Sequence, residues 1–349
     1  GGADQGCSTA RLMVAPRRPW ICRSDAPTLA RDEVAVGLRL FLPETWTDDA
    51  ERMVTVGVPE RFQAPRSKPE IALQEIDRVR ALGVRFGLVL ADAGYGLSAS
   101  FRQGLSGRGL TWAVGIPKHQ KVYPTDVALI FPVAGRGRPR KNQIPDPLSV
   151  PAETVLAEAR WRKVSWRCGT KGPLSARFAA CRIRIADGPP QRIHDKGQQH
   201  MPGEEAWLVG EWRSSGERKY YLSNLPAGAS LKKLAAAIKA RWVCEQAHQQ
   251  MKEEMGLDHF EGRSWRGLHR HALMIMIAYA FLQHRRLGQA AGEKTAAGTA
   301  QTDPASGPPG RPQDTLLDIA AANLPPTAEG PSGGHQADSA KVVLGSGLN

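Results

Sequence analysis

Apolar positions recur along this chain in two rhythms, one of strands and one of helices, and between residues 34 and 116 the two alternate. Val34-Ala-Val-Gly-Leu-Arg-Leu-Phe-Leu reads as a strand stopped by Pro43, and a loop rich in proline and charge follows to Ser67. Pro69 suits the first turn of a helix. Ile71, Leu73, Ile76, Val79 and Leu82 give that helix a broad apolar side, and Gly83 ends it. Phe86-Gly-Leu-Val-Leu-Ala is a short apolar run of the kind a sheet buries on both faces. A short helix near Ser98 to Leu105 leads to a further strand, Thr111-Trp-Ala-Val-Gly-Ile, closed by Pro117. Strand, helix, strand, helix, strand in this order predicts an α/β fold with parallel pairing.

From Lys118 to Ala229 the pattern changes to short strand-like pieces between Gly/Pro turns, among them Trp161 to Trp166, Arg177 to Ile185, Ala206 to Glu211 and Lys219 to Ser223. They read as a β-rich insertion within the domain. Ser230 is a helix N-cap for a segment predicted to run unbroken to about Glu254. A second long helix covers Trp265 to Leu287, with Leu273, Ile277 and Phe281 expected on its buried side. Residues 1–33 show neither rhythm and are expected to be irregular or disordered. After Gly288 the chain is dominated by Ala, Gly, Pro, Ser, Thr and Gln, which predicts a disordered tail over 288–349, apart from a short helix at Leu316 to Ala322. Residues 34–287 are left as the ordered core.

Charge narrows the partner. Lys plus Arg number 47 against 34 acidic residues in 349, a net +13. Such an excess favours a polyanion, with nucleic acid ahead of an anionic membrane surface; a basic bias from an Arg-rich genome would look the same. The longest apolar run, Leu273 to Leu282, is about half the length needed to span a bilayer, so no membrane segment is expected. The five cysteines (Cys7, Cys22, Cys168, Cys181, Cys244) never fall as Cys-x-x-Cys. They argue against a disulfide framework or a zinc site and fit a reducing cytoplasm.

Two carboxylates stand out. Asp92 closes the strand at Phe86 to Ala91, at the carboxyl end where open α/β sheets place ligand groups, and Gly94 and Gly96 allow close approach behind it. An Asp there could equally shape the turn or cap the next helix. Glu245 lies four residues after Arg241 and seven before Lys252, steps that put all three on one helical stripe. An ordinary surface pair would show the same spacing. Gly135-Arg-Gly-Arg-Pro-Arg-Lys141 is basic and narrow enough to enter a minor groove through Arg136, Arg138, Arg140 and Lys141, or to touch phosphates without preference. Trp112, Trp161, Trp166, Trp207 and Trp212 are expected in the core, and His269, His271 and His284 in structural roles.

Val89-Leu-Ala-Asp-Ala-Gly-Tyr-Gly and Arg241-x3-Glu245-x6-Lys252, followed by Gly256-Leu-Asp-His-Phe-Glu-Gly-Arg-Ser-Trp-Arg-Gly, resemble the DDE transposases of bacterial insertion sequences. The subgroup is the one with the Tyr-x2-Arg-x3-Glu-x6-Lys signature, the IS-four type, and the resemblance runs from about Val34 to Leu287. It implies a ribonuclease-H-like mixed sheet flanked by helices, with the β-rich insertion between the second Asp and the catalytic Glu. It further implies that Asp92 and Glu245 are catalytic metal ligands and that Arg241 and Lys252 hold phosphates at the transposon end. Two Mg²⁺ or Mn²⁺ ions would activate a water or 3′-hydroxyl and stabilise the leaving oxygen. Double-stranded DNA is the implied partner, a homodimer the implied assembly, and the bacterial nucleoid in the cytoplasm the implied location.

Two departures qualify the resemblance. Ile238 stands where the signature Tyr belongs. The first catalytic Asp of the family lies on a strand upstream of the segment matched by Val34 to Leu42. Here Asp4, Asp25 and Asp32 precede that segment, and none follows an apolar strand. The sequence therefore predicts a chain truncated or frameshifted at its amino end. The readings left open are a transposase, a catalytically inactive remnant that still binds DNA, and, more weakly, a metal-dependent nuclease of the same fold that only hydrolyses DNA.

Overall fold

The computed structural model describes residues 9–15, 34–132, 142–169, 172–193, 197–299 and 340–346. Its centre is a mixed sheet of eleven strands: β1 Thr9–Ala15, β2 Val34–Leu40, β3 Phe86–Ala91, β4 Trp112–Ile116, β5 Lys121–Tyr123, β6 Val150–Pro151, β7 Arg162–Gly169, β8 Gly172–Ile185, β9 Glu205–Trp212, β10 Arg218–Ser223 and β11 Ala340–Ser346. The order across it is β2-β1-β11-β3-β4-β10-β9-β8-β5-β6, and β7 pairs with β8. Only the β11–β3 and β3–β4 pairs are parallel; every other ladder is antiparallel.

Helices cover both faces. The principal ones are α1 Lys68–Ala81, α2 Ala93–Gly96, α3 Ala99–Gly107, α4 Leu231–Lys239, α5 Trp242–Glu253 and α6 Trp265–Thr299. Ser67 starts α1 with a capping box: its hydroxyl accepts from the Glu70 amide at 3.4 Å, and the Glu70 carboxylate accepts from the Ser67 amide at 2.7 Å. Gly83, at φ +82°, takes the left-handed turn that lets the chain leave α1. Ala72, Ile76 and Val79 of α1 and Phe101 and Leu105 of α3 pack on the face carrying Val89, Ala91 and Val114. Leu88, Leu90 and Ala113 point the other way, toward Leu234 and Ala237 of α4, Cys244, Ala247 and Met251 of α5, and Ile275 and Tyr279 of α6. Burying such apolar side chains, at about 1.5–3 kcal/mol each, is what makes strand parity decisive here.

The predicted β-rich insertion is present, and its strands continue the central sheet. β10 lies antiparallel to β4, with Leu222 opposite Val114 and Tyr221 opposite Gly115, and β9 and β8 follow outward.

Several expectations are corrected. The segment expected to be irregular before Val34 contains β1, which pairs with β2 on one side and β11 on the other. The tail expected to be disordered from 288 contains the last turns of α6, to Thr299, and β11. Both strands are short apolar runs whose partners are remote in sequence, so local rhythm carries little trace of them. The helix predicted from Ser230 to Glu254 is two helices. Ser230 does cap α4, accepting from the Lys233 amide at 3.2 Å. At Ala240 and Arg241 the bonding tightens: Val243 N–H donates to Ala240 O at 3.3 Å and Cys244 N–H to Arg241 O at 3.0 Å, three residues back instead of four.

Helix α6 shows the other side from the one predicted. Ala272, Ile275, Tyr279 and Gln283 are buried, whereas Leu273, Ile277 and Phe281 are exposed. The helix is turned by the contacts that seat it: His271 Nε2 lies 2.9 Å from Gly256 O, and Ile275 and Tyr279 pack in the cluster with α5. Among the tryptophans, Trp112 is buried, but Trp161, Trp166, Trp207 and Trp212 are only partly so. Cations lie over all four: Arg218 over Trp161 and Trp212, Arg182 over Trp207 and Lys239 over Trp166. Among the described residues no helix is long and apolar enough to cross a membrane.

Candidate phosphate and metal site

Asp92 follows β3 directly, at the carboxyl end of the strand whose Leu88 and Leu90 face α4 and α5. Its Oδ1 accepts from Gly94 N–H at 2.9 Å and Tyr95 N–H at 3.3 Å, so Asp92 caps the short helix α2. The turn-shaping reading of this residue is therefore fulfilled. The turn is held from behind by Arg102, which the sequence reading did not single out. Its guanidinium is buried, donates to Gly96 O, and pairs with Asp187 Oδ2 at 2.8 Å. A buried Arg bridging the Asp92 turn to the insertion leaves no trace in local periodicity.

Helix α5 carries the second half of the site. Arg241 sits at its N-cap and donates to Glu245 Oε1, and Lys252 near the other end pairs with Asp258 Oδ2 at 3.3 Å. Both pairs are open to solvent, with Glu245 48% and Lys252 40% exposed. Exposed pairs of this kind contribute at most about 1 kcal/mol, so a phosphate can displace either carboxylate. Asp258 lies in the Gly256-Leu-Asp-His segment but had been given no part. At the start of α5 the Arg167 guanidinium lies 4.5 Å from the ring centre of Trp242, which is 40% exposed.

Ile238, in place of the signature Tyr, is buried in the core. The positive charge of Arg241 instead acts on Tyr221, a phenol on β10 whose hydroxyl is committed to Glu211 at 2.8 Å. Burial, with Glu211 beside it, pushes the Tyr221 hydroxyl well above the ordinary phenol range, so Tyr221 stays protonated as a donor. Glu211 is fully enclosed and also receives Lys239 Nζ at 2.7 Å and Arg213 Nε at 3.3 Å.

As a divalent-metal site the donors have the right chemistry and the wrong number. Carboxylate oxygens suit Mg²⁺ and Mn²⁺. Yet among the described residues no three His, Cys, Asp or Glu side chains come together as a metal cage requires. Asp92 and Glu245 alone do not make a two-ion centre. Asp4, Asp25 and Asp32, and the basic stretch with Arg136, Arg138, Arg140 and Lys141, lie outside the described residues. His269 and His271 have the structural roles expected, each bonded to a backbone carbonyl, of Trp265 and Gly256 respectively.

The mixed sheet, with its parallel centre and helices on both faces, is consistent with a ribonuclease-H-like DDE domain. A family model described as DDE superfamily endonuclease matches residues 26–173, a stretch that contains Asp92 and ends before α5, and it supports a DDE transposase-like domain. No curated protein matches the chain.

Proposed function

We propose that the chain is a DNA-binding protein of the insertion-sequence transposase type, which grips the phosphodiester backbone of double-stranded DNA along α5. The observation that carries this reading is the line Arg241, Glu245, Lys252 on a helix packed against the sheet face of Leu88 and Leu90, on the strand that Asp92 follows. Arg241 would take a phosphate in bidentate fashion and Lys252 as a point charge. The net charge of +13 supplies the long-range attraction. In the full transposase reading, Asp92 and Glu245 face the metal ions that cut the strand and join it to a target, and two copies act on paired ends. A second reading, DNA binding without cleavage, is favoured by the shortage of carboxylates around Asp92 and Glu245 among the described residues.

Glu245→Ala separates binding from chemistry. It frees Arg241 from its carboxylate, so affinity for duplex DNA, measured by fluorescence anisotropy, should stay the same or rise. Any Mn²⁺-dependent nicking of plasmid should disappear. An equal loss of both would contradict the assignment of Glu245 to the metal side and Arg241 to the phosphate side.

A further inference from the structure

One register row crosses four strands of the insertion. Lys163 of β7 stands opposite Arg177 of β8, Arg177 opposite Trp212 of β9, and Trp212 opposite Arg218 of β10. Directly opposed residues share a face of the sheet, and the side-chain contacts agree. The guanidinium of Arg218 lies 4.5 Å and that of Arg177 5.5 Å from the Trp212 ring centre. Trp161, just before β7, meets Trp212 edge to face at 5.8 Å and has Arg218 over it at 5.6 Å. Lys163, Arg177 and Arg218 are exposed, and both indoles are half-buried.

This face is not the one that α5 covers. Trp161 packs against the cluster of Leu156, Ala179 and Leu208, on the side of α1 and α3. Val164 and Phe178, the next residues along β7 and β8, belong to the cluster of α4 and α5. Like charges directly opposite one another, as Lys163 and Arg177 are, are unfavourable in a sheet, so the row gains when an anion settles on it. At the usual inter-strand spacing the row is about 15 Å long.

Two features select the anion. Cations in a line fit a chain of phosphates. The half-open indoles among them offer a flat apolar surface, on which an unpaired base stacks as a guanidinium does. A duplex keeps its bases inside a stiff cylinder and uses only the first feature. A single strand uses both, and it bends to follow the sheet.

We infer that this row is a binding track for single-stranded DNA, on the sheet face opposite α5. That the strand is DNA rests on the reading of α5 as a duplex-binding helix, since a duplex exposes unpaired bases wherever it opens. Arg177 and Arg218 turn their N–H edges to phosphates, Lys163 adds a point charge, and bases stack against Trp212 and Trp161.

The test is fluorescence anisotropy of the full-length protein with two labelled probes: an oligothymidylate, which forms no pairs, and a short duplex. Wild type should bind both. Lys163→Gln with Arg177→Gln and Arg218→Gln should weaken oligothymidylate binding at least about tenfold and lower its salt slope by about 2, at about 0.7 per phosphate contact. Duplex binding by this triple variant should stay as in wild type. Arg241→Ala with Lys252→Ala should do the reverse. Wild type that does not bind oligothymidylate, or a triple variant that binds it as wild type does or loses both probes alike, would overturn the inference. So would displacement of the oligothymidylate by polyphosphate at equal charge, which would show a site for charge alone. Should the triple variant fail to fold, acetylation of the wild-type lysines reads the same contact: oligothymidylate should protect Lys163, and an unprotected Lys163 contradicts the track. Duplex binding that survives Arg241→Ala with Lys252→Ala sinks the α5 reading and leaves the outcome for the single strand to be judged by itself.

Discussion

Replacing Gly96 by alanine should destabilise the fold by about 3 kcal/mol, lowering the melting temperature by roughly 6–12 °C. Helix α2 follows Asp92 directly and lies against β4 so closely that two glycines meet. A Cβ at Gly96 would run into the Gly115 carbonyl oxygen and come within 3.0 Å of the Val114 Cβ. The obstruction is backbone on the sheet side, so no rotamer change relieves it; α2 must lift, and Asp92, which caps α2, must move with it. Gly107, at the end of α3, is the control. A Cβ there meets nothing within 4 Å, so Gly107→Ala should be neutral or slightly stabilising. Urea unfolding followed by circular dichroism measures both. Equal stabilities for the two variants would refute the close approach of α2 and β4.

Glu211→Leu is the second large effect, with an expected loss of about 3 kcal/mol. The carboxylate is 1% exposed and holds Lys239, Arg213 and the Tyr221 hydroxyl. Burial alone would raise its pKa. The hydrogen bond and charge of Lys239, the Tyr221 hydroxyl and the charge of Arg213 outweigh that, and the pKa lies below the ordinary 4.5. Removing the carboxylate strands Lys239, which is 19% exposed, more than Arg213, which can turn to Glu217 at 3.1 Å. Adding Lys239→Met to Glu211→Leu should therefore recover part of the loss, and a double-mutant cycle measures how much. The pH dependence follows from the same geometry. A carboxylate with a depressed native pKa contributes stability that is complete above its unfolded pKa and fades as pH falls through the native one. Wild type should thus lose stability below about pH 4.5 more steeply than Glu211→Leu. Parallel pH profiles would show that the cluster does not bind its proton as described.

The parts of the fold that local chemistry determines were legible before any coordinates. β2, β3 and β4 each carry an apolar run bounded by Pro, Gly or Asp, and α1 and α4 each begin with a serine cap. The parts that depend on remote partners were not. β1 and β11 sit in mid-sheet because of the ladders they make with each other and with β2 and β3, and nothing within Thr9–Ala15 or Ala340–Ser346 announces those partners. The break between α4 and α5 contains neither Gly nor Pro, so propensity gave no warning of it. The buried side of α6 is not legible from local pattern, because the helix is apolar nearly all round from Leu273 to Leu282, and only its contacts turn Ala272, Ile275 and Tyr279 to the core.

The candidate site divides in the same way. Asp92 and the Arg241-Glu245-Lys252 line were legible because strand-end position and helical spacing are local properties. The ion pair of Lys252 with Asp258, and the hold of Arg102 on the Asp92 turn through Gly96 and Asp187, were not, because each joins separate elements.

The central claim, that α5 presents Arg241 and Lys252 to DNA phosphates, is tested most directly by the salt dependence of duplex binding. The logarithm of the binding constant should fall linearly with the logarithm of salt concentration, and each phosphate contact contributes about 0.9 to the slope. The Arg241→Ala, Lys252→Ala double variant should bind at least about tenfold more weakly at low salt, to the same degree for every duplex sequence, with a slope reduced by about 2. A double variant with the affinity and slope of wild type would contradict the account.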